Sequence, residues 1–217
     1  MKTSCDHSWN EIALAQHPLR CQVLEQLGRN AALQNLNDAA WQDLEKILSV
    51  VEIAKDEALL TQGCSEMGQF FILEGLLKRV VTNKQGKEMT LRFAGAGEFE
   101  TCYAAWSLGT RAPYSITAVN KAIIAKCSMP SWKQFLDDHK QLKQDFEYQV
   151  MRHMSDIMAH TITLHLLDAA GRMARFQRKH PELIELLSKK ELAQYLNIAP
   201  ETLSRLLHHP NDCITKT

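Results

Sequence analysis

The sequence predicts an α+β chain: an N-terminal antiparallel β-roll, a long helix and a C-terminal helix-turn-helix. Three observations carry that prediction. Seven short apolar stretches punctuated by glycines fill residues 50–127, the mark of an antiparallel barrel or sandwich. A helical pattern is then sustained from about Lys140 to His165. Last, the run from Ser188 to Leu207, SKKELAQYLNIAPETLSRLL, is punctuated as two short helices around a turn.

Taken in chain order, residues 1 to about 30 predict helix with an irregular apolar pattern broken at Pro18. Leu36 to Ser49 predicts an amphipathic helix, with Asn37 or Asp38 as its cap ahead of Leu44 and Leu48. The predicted strands are Val50–Ile53, Ala58–Thr61, Gln69–Leu73, Leu76–Thr82, Met89–Phe93, Tyr114–Val119 and Ala122–Cys127, with Asn83 to Gly86 as a hairpin tip. Helix returns at about Ser131. On the long helix, Phe146, Val150, His153, Ile157, His160 and Leu164 recur at spacings of 4, 3, 4, 3 and 4, a seam able to pair two chains. Met151, Met154 and Met158 widen its apolar face. A further helix, about Ala169 to Lys179, precedes Pro181.

In the last run Ser188 caps a helix and Glu191 stands where a capping-box carboxylate belongs. Asn197 falls in the turn, where a left-handed backbone is needed and Asn tolerates it. Pro200 suits the first turn of a second helix, because its missing N–H would be unpaired there anyway. Leu203, Leu206 and Leu207 then share an inward face, opposite Glu201, Ser204, Arg205 and His208. After Leu207 the chain reads HHPNDCITKT, where Pro210 stops the helix near His208.

Composition narrows the function classes. At 45% hydrophobic and 23% charged the 217 residues match a folded protein rather than a disordered one. The formal net charge of zero supplies no global field for nucleic acid, so any basic face must be local. No apolar run spans a bilayer and no signal-peptide core opens the chain, which predicts a cytoplasmic protein with no membrane partner. Six cysteines without a C-x-x-C pair read as free thiols, and their spacing offers no metal cluster. No triad, paired catalytic carboxylates or phosphate loop points to an enzyme.

The β-roll, long helix and helix-turn-helix together resemble the CRP/FNR family of bacterial transcription regulators. The resemblance covers roughly residues 33–207, through the stretches Glu57–Phe99, Leu166–Phe176 and Glu191–Leu207. It implies an effector-sensing, cyclic-nucleotide-binding-like jelly roll (1–139), a dimerisation helix (140–166) and a helix-turn-helix DNA-binding domain (167–217). The partners it implies are a second copy of the chain, double-stranded DNA, a small-molecule effector and RNA polymerase. Family members add a β-hairpin wing after the recognition helix. Ten residues are too few for one, so a full wing is expected to be lacking.

Glu201, Ser204 and Arg205 match the E-x-x-S-R pattern of the FNR-like branches, which implies a palindrome of TTGAT-like half-sites. Arg205 can pair bidentately with guanine, Glu201 can accept from a cytosine amino group, and Ser204 can reach a base edge. Thr202, Lys189 and Lys190 suit phosphate contacts. The expected effector pocket comprises Glu98, Phe99, Thr101, Cys102, Tyr103, Tyr114 and Ser115. Here the sequence departs from cyclic-AMP-binding members: Thr101 and Cys102 stand where they carry Gly-Glu, and Tyr114-Ser115 replaces their Arg-Ser. The phosphate-pairing arginine is missing, and Arg111 is misplaced to substitute for it, so the effector is expected not to be cyclic AMP. Haem or nitric oxide sensing is the alternative, with His17, Cys64, Cys102, His153 and His160 as ligand candidates. A ligand-sensing or interaction module that no longer binds DNA tightly is the competing function.

Overall fold

The computed structural model describes residues 9–208; Cys5, Pro210, Cys213 and the segment on which the missing-wing expectation rests lie outside the described residues. The chain opens with β1 (Ile12–Ala13) and α1 (Arg20–Gly28), where the sequence predicts helix broken at Pro18; the stretch ahead of the break holds a strand instead. Pro18, just before α1, separates the two. Helix α2 (Asp38–Ile47) is capped by Asn37, whose side chain accepts from the Ala40 N–H. It stops two residues short of the predicted end because Ser49 already pairs in a strand.

The roll consists of β2 (Ser49–Ile53), β3 (Ala58–Leu60), β4 (Gly68–Glu74), β5 (Leu76–Thr82), β6 (Glu88–Gly95), β7 (Phe99–Thr101), a short helix α3 (Tyr103–Ser107), β8 (Ser115–Ala118) and β9 (Ala122–Ser128). These form two wholly antiparallel sheets, ordered β1-β2-β9-β4-β7 and β3-β8-β5-β6. The join between β4 and β5 depends on Gly75, at φ +90, where a Cβ would meet Lys121 O and Ala122 Cβ at 2.6 Å. Strand β7 and helix α3 escaped the sequence reading. The ETCYAAW stretch is too short to show either period clearly.

Four helices follow α4 (Met129–Asp138): α5 (Lys140–Leu166), α6 (Ala169–Lys179), α7 (Lys189–Leu196) and α8 (Pro200–His208). Two apolar cores form. The larger fills the roll and takes in Trp132 of α4 and Phe146 of α5. The smaller joins Met173, Phe176, Leu192, Leu196 and Leu203 of the C-terminal helices to Leu76, Phe93 and Val119 of the roll. The helix-turn-helix is thus docked on the roll's outer surface. Within described residues, no helix is long and apolar enough to cross a membrane.

Candidate nucleic-acid and effector sites

The helix-turn-helix is built as its residues dictate. Ser188 Oγ accepts from the Glu191 N–H at 3.2 Å, and the Glu191 carboxylate accepts from the Ser188 N–H at 3.0 Å. Asn197 takes the left-handed turn conformation at φ 49. Leu203 is completely buried, and Leu206 and Leu207 pack partly against it. Glu201, Arg205 and His208 are exposed and Ser204 and Thr202 half-buried, so α8 turns its polar face outward. Lys189 and Lys190 are exposed at the start of α7. One stabilising residue was missed: Arg172 of α6 donates through Nη1 to the carbonyls of Leu196 and Asn197, at 3.1 and 3.2 Å. A cation there satisfies carbonyls left open at the C-terminus of α7.

Alternation along β5 sends neighbouring cations to opposite sides. Lys78 faces the C-terminal helices and stands 3.6 Å from Glu191, both side chains nearly buried. The capping-box carboxylate therefore also couples the helix-turn-helix to the roll. Gln194 donates to Glu88 of β6 at 2.9 Å, and Tyr195 packs on Phe93 with ring centroids 5.3 Å apart.

Arg79, the next residue, turns into the roll and closes the expected effector pocket. Its guanidinium donates to Glu100 of β7 through Nε at 2.9 Å and Nη2 at 2.5 Å. It also lies 4.2 Å from the centre of the Tyr114 ring. The Tyr114 hydroxyl donates to Thr101 O at 2.7 Å. Arg92 approaches the other Glu100 oxygen at 3.5 Å. What remains between Arg79, Thr101, Tyr114 and His153 is a cavity of about 10 Å³, the room of one water at most. Neither Arg79 nor Glu100 was singled out from sequence. The available signal was a pair of cations inside the apolar strand LLKRVVT.

Of the other predicted pocket residues, Cys102 stays beside Tyr114 and the rest scatter. Cys102 is buried, and burial pushes its thiol up to about 11, the opposite of a reactive thiolate. Phe99 packs on Phe71 and Phe146. Tyr103 donates its hydroxyl to Glu147 of α5 at 2.8 Å. Glu98 is exposed and held by Arg92 at 2.5 Å. Ser115 Oγ accepts from the Gln62 N–H at 2.9 Å. Arg111 does not reach in: it donates to Gly63 O at 3.0 Å. The free-thiol expectation also needs correction, since Cys64 is disulfide-bonded, while Cys21, Cys102 and Cys127 are free. The haem-ligand candidates do not converge, and the described residues contain no group of three or more His, Cys, Asp or Glu placed to hold a metal ion.

The seam predicted on α5 is used within the chain. Phe146 is fully buried against Phe99, Tyr103 and Trp132, and Leu164 is also buried. His160 is buried and stacks on Tyr195, with centroids 3.9 Å apart and planes at 10°. Val150, His153 and Ile157 are half-buried. The turn of the helix toward the roll claims this face, so it is not the free one. The uncovered stripe is instead Tyr148, Met151, Met154, Met158 and Ile162, all large apolar residues about half exposed or more.

Burial holds His160 neutral, down to about 4, with Lys179, His180 and Arg175 adding repulsion. An unfolded His160, near 6.5, takes up its proton where the folded one does not. Its contribution to stability is complete above about pH 6.5 and is lost as the pH falls toward about 4. Thermal midpoints measured across that window should fall more steeply for the wild type than for His160→Phe, which keeps a ring on Tyr195 without the proton. Equal slopes would refute the assignment.

Residues 50–139 match the family model for the cyclic nucleotide-binding domain. The chain is 21% identical over 148 residues to the cAMP-activated global transcriptional regulator CRP of Haemophilus influenzae, covering 64% of this chain and 66% of that one. It is 20% identical over 187 residues to the nitrogen fixation regulation protein FixK of Bradyrhizobium diazoefficiens, covering 81% and 77%. Among solved structures, the c-di-GMP-responsive regulator CLP of Xanthomonas campestris superposes with a TM-score of 0.65 at 15% identity, covering 81% of this chain and 92% of CLP.

Proposed function

We propose, from a chain that carries a cyclic nucleotide-binding domain and has homologues among the CRP/FNR-type transcription regulators, a homodimeric DNA-binding regulator that reads a palindromic TTGAT-like site under an effector other than cyclic AMP. The observation that carries this reading is α8. Its Glu201, Ser204 and Arg205 face points away from the core while Leu203 anchors the opposite side. In polarisation or gel-shift assays the chain should prefer a TTGAT palindrome to a scrambled duplex at moderate salt. Equal affinity for both would favour the competing reading, a ligand-sensing or interaction module.

The two-fold symmetry of such a site calls for two copies of α8. We assign their pairing to the stripe of Tyr148, Met151, Met154, Met158 and Ile162, whose exposed apolar side chains lie along one side of α5. Met158→Glu places a charge in the middle of that stripe, and desolvating it opposes association. Light scattering after size exclusion should give a dimer for the wild type and a monomer for the variant. A dimeric variant would move the interface elsewhere.

The effector part follows from the filled pocket. A cyclic nucleotide would have to displace Tyr114 and compete with the Arg79–Glu100 pair for space of about 10 Å³. Calorimetric titration with cyclic AMP should therefore give no saturable heat. Stoichiometric binding would show that Tyr114 swings out.

A further inference from the structure

We propose that the cleft between β6, the inner face of α5 and the segment 179–186 ahead of α7 binds a small amphipathic anion, a carboxylate or phosphate head on an apolar body, and is the effector site. This rests on the regulator reading above. The cleft encloses about 750 Å³, the scale of small-molecule sites, whereas the pocket behind it is closed by Arg79 and Tyr114. His153 lines both spaces.

One end of the cleft is cationic. Arg152 donates only to Gln149 Oε1, at 3.2 Å, and forms no ion pair among the described residues. One buried nitrogen on a lining residue, His153 Nδ1, has no hydrogen-bond partner, and Arg92 Nη1 has only its ion-pair contact with Glu100 Oε1 at 3.5 Å. Such atoms are costly unless a ligand or water supplies one. Two of the acids that line the cleft are already engaged, Glu98 with Arg92 at 2.5 Å and Asp156 with Lys179 at 3.1 Å. Glu182 is exposed and stands 3.6 Å from His180, which burial keeps neutral. Burial lowers His153 to about 3, and Arg92, Arg79 and Arg152 all push the same way against Asp156 alone. The field there favours an anion. Apolar surface for the rest of the ligand comes from Leu76, Phe93, Ile157, Leu183, Leu186 and Tyr195.

The cleft's walls belong to the roll, the long helix and the approach to the DNA-reading unit. A molecule spanning them favours this docked arrangement over others and so shifts the population of recognition-helix geometries.

The test uses octanoate and octyl phosphate below their micellar concentrations, with 1-octanol and octylamine as neutral and cationic counterparts, titrated calorimetrically into the full chain. The two anions should bind at one site per chain. Arg152→Gln and Leu186→Asp, both at solvent-accessible positions, should each weaken them about tenfold or more. Octanol or octylamine binding as tightly, anion affinity indifferent to both substitutions, or no anion binding at all would overturn the site. TTGAT-palindrome affinity is measured in the same samples, and a severalfold change on adding the anion supports the effector role; unchanged affinity overturns that role. Specific DNA binding without anion binding sinks this inference and leaves the regulator reading standing. Anion binding that both substitutions weaken, with no DNA preference, supports the site and sinks the regulator reading.

Discussion

Replacing Arg205 by alanine is expected to abolish discrimination between the TTGAT palindrome and a scrambled duplex. The guanidinium is exposed at the middle of α8, on a helix whose Leu203 is fully buried, so its removal leaves the fold intact. A bidentate arginine–guanine pair is worth about 1–3 kcal/mol, and a two-fold site uses it twice, so specific affinity should drop by about 2–6 kcal/mol. Non-specific affinity should change far less, because phosphate contacts dominate it. Lys189→Gln is the informative contrast: it should weaken binding to both duplexes alike and flatten the salt dependence. Fluorescence polarisation on the two duplexes over a salt series separates these outcomes. An Arg205→Ala protein that keeps its preference would mean that α8 does not read the bases.

The second large effect concerns stability. Arg79→Met should destabilise the chain by about 3–5 kcal/mol, because it strands the Glu100 carboxylate where neither partner has more than 2% of its side chain exposed. In a chain of this length each kcal/mol lowers the thermal midpoint by about 2–4 °C, so the loss is readily measured by calorimetry. Arg92 stands 3.5 Å from the second Glu100 oxygen and holds the cost toward the lower end. Arg79→Met combined with Glu100→Leu should recover most of the stability, since an apolar pair of similar volume avoids desolvating two charges. No recovery in the double variant would show that the pair does more than neutralise itself. Persistence of the wild-type midpoint in Arg79→Met would remove it as the element that fills the pocket.

Much of this was legible in the residues. The strand from Leu76 to Thr82 is bounded by Gly75 and the Asn83–Gly86 tip, and it falls on the predicted residues. The helix Ala169–Lys179 does so too. The helix-turn-helix could be read down to its capping box and its left-handed Asn197, because each is set by residues within a few positions of one another. The face of α5 was not legible. Its apolar residues occupy both sides of the helix, and a heptad count alone cannot tell which side meets the same chain and which is left over. Phe146 looked like a seam residue and is a core residue.

The sequence by itself determined most of the strands and helices and the outward polar face of α8, since those follow from local periodicity, caps and turn residues, whereas the short β1, β7 and α3 carry too few residues to show a period. Only the tertiary structure decided what fills the expected effector pocket and where a large cleft opens instead. Arg79 meets Glu100 across 21 positions, and His160 meets Tyr195 through the packing of α7 on α5. Whether such groups face each other depends on strand pairing and on how the helices pack, which no local pattern encodes.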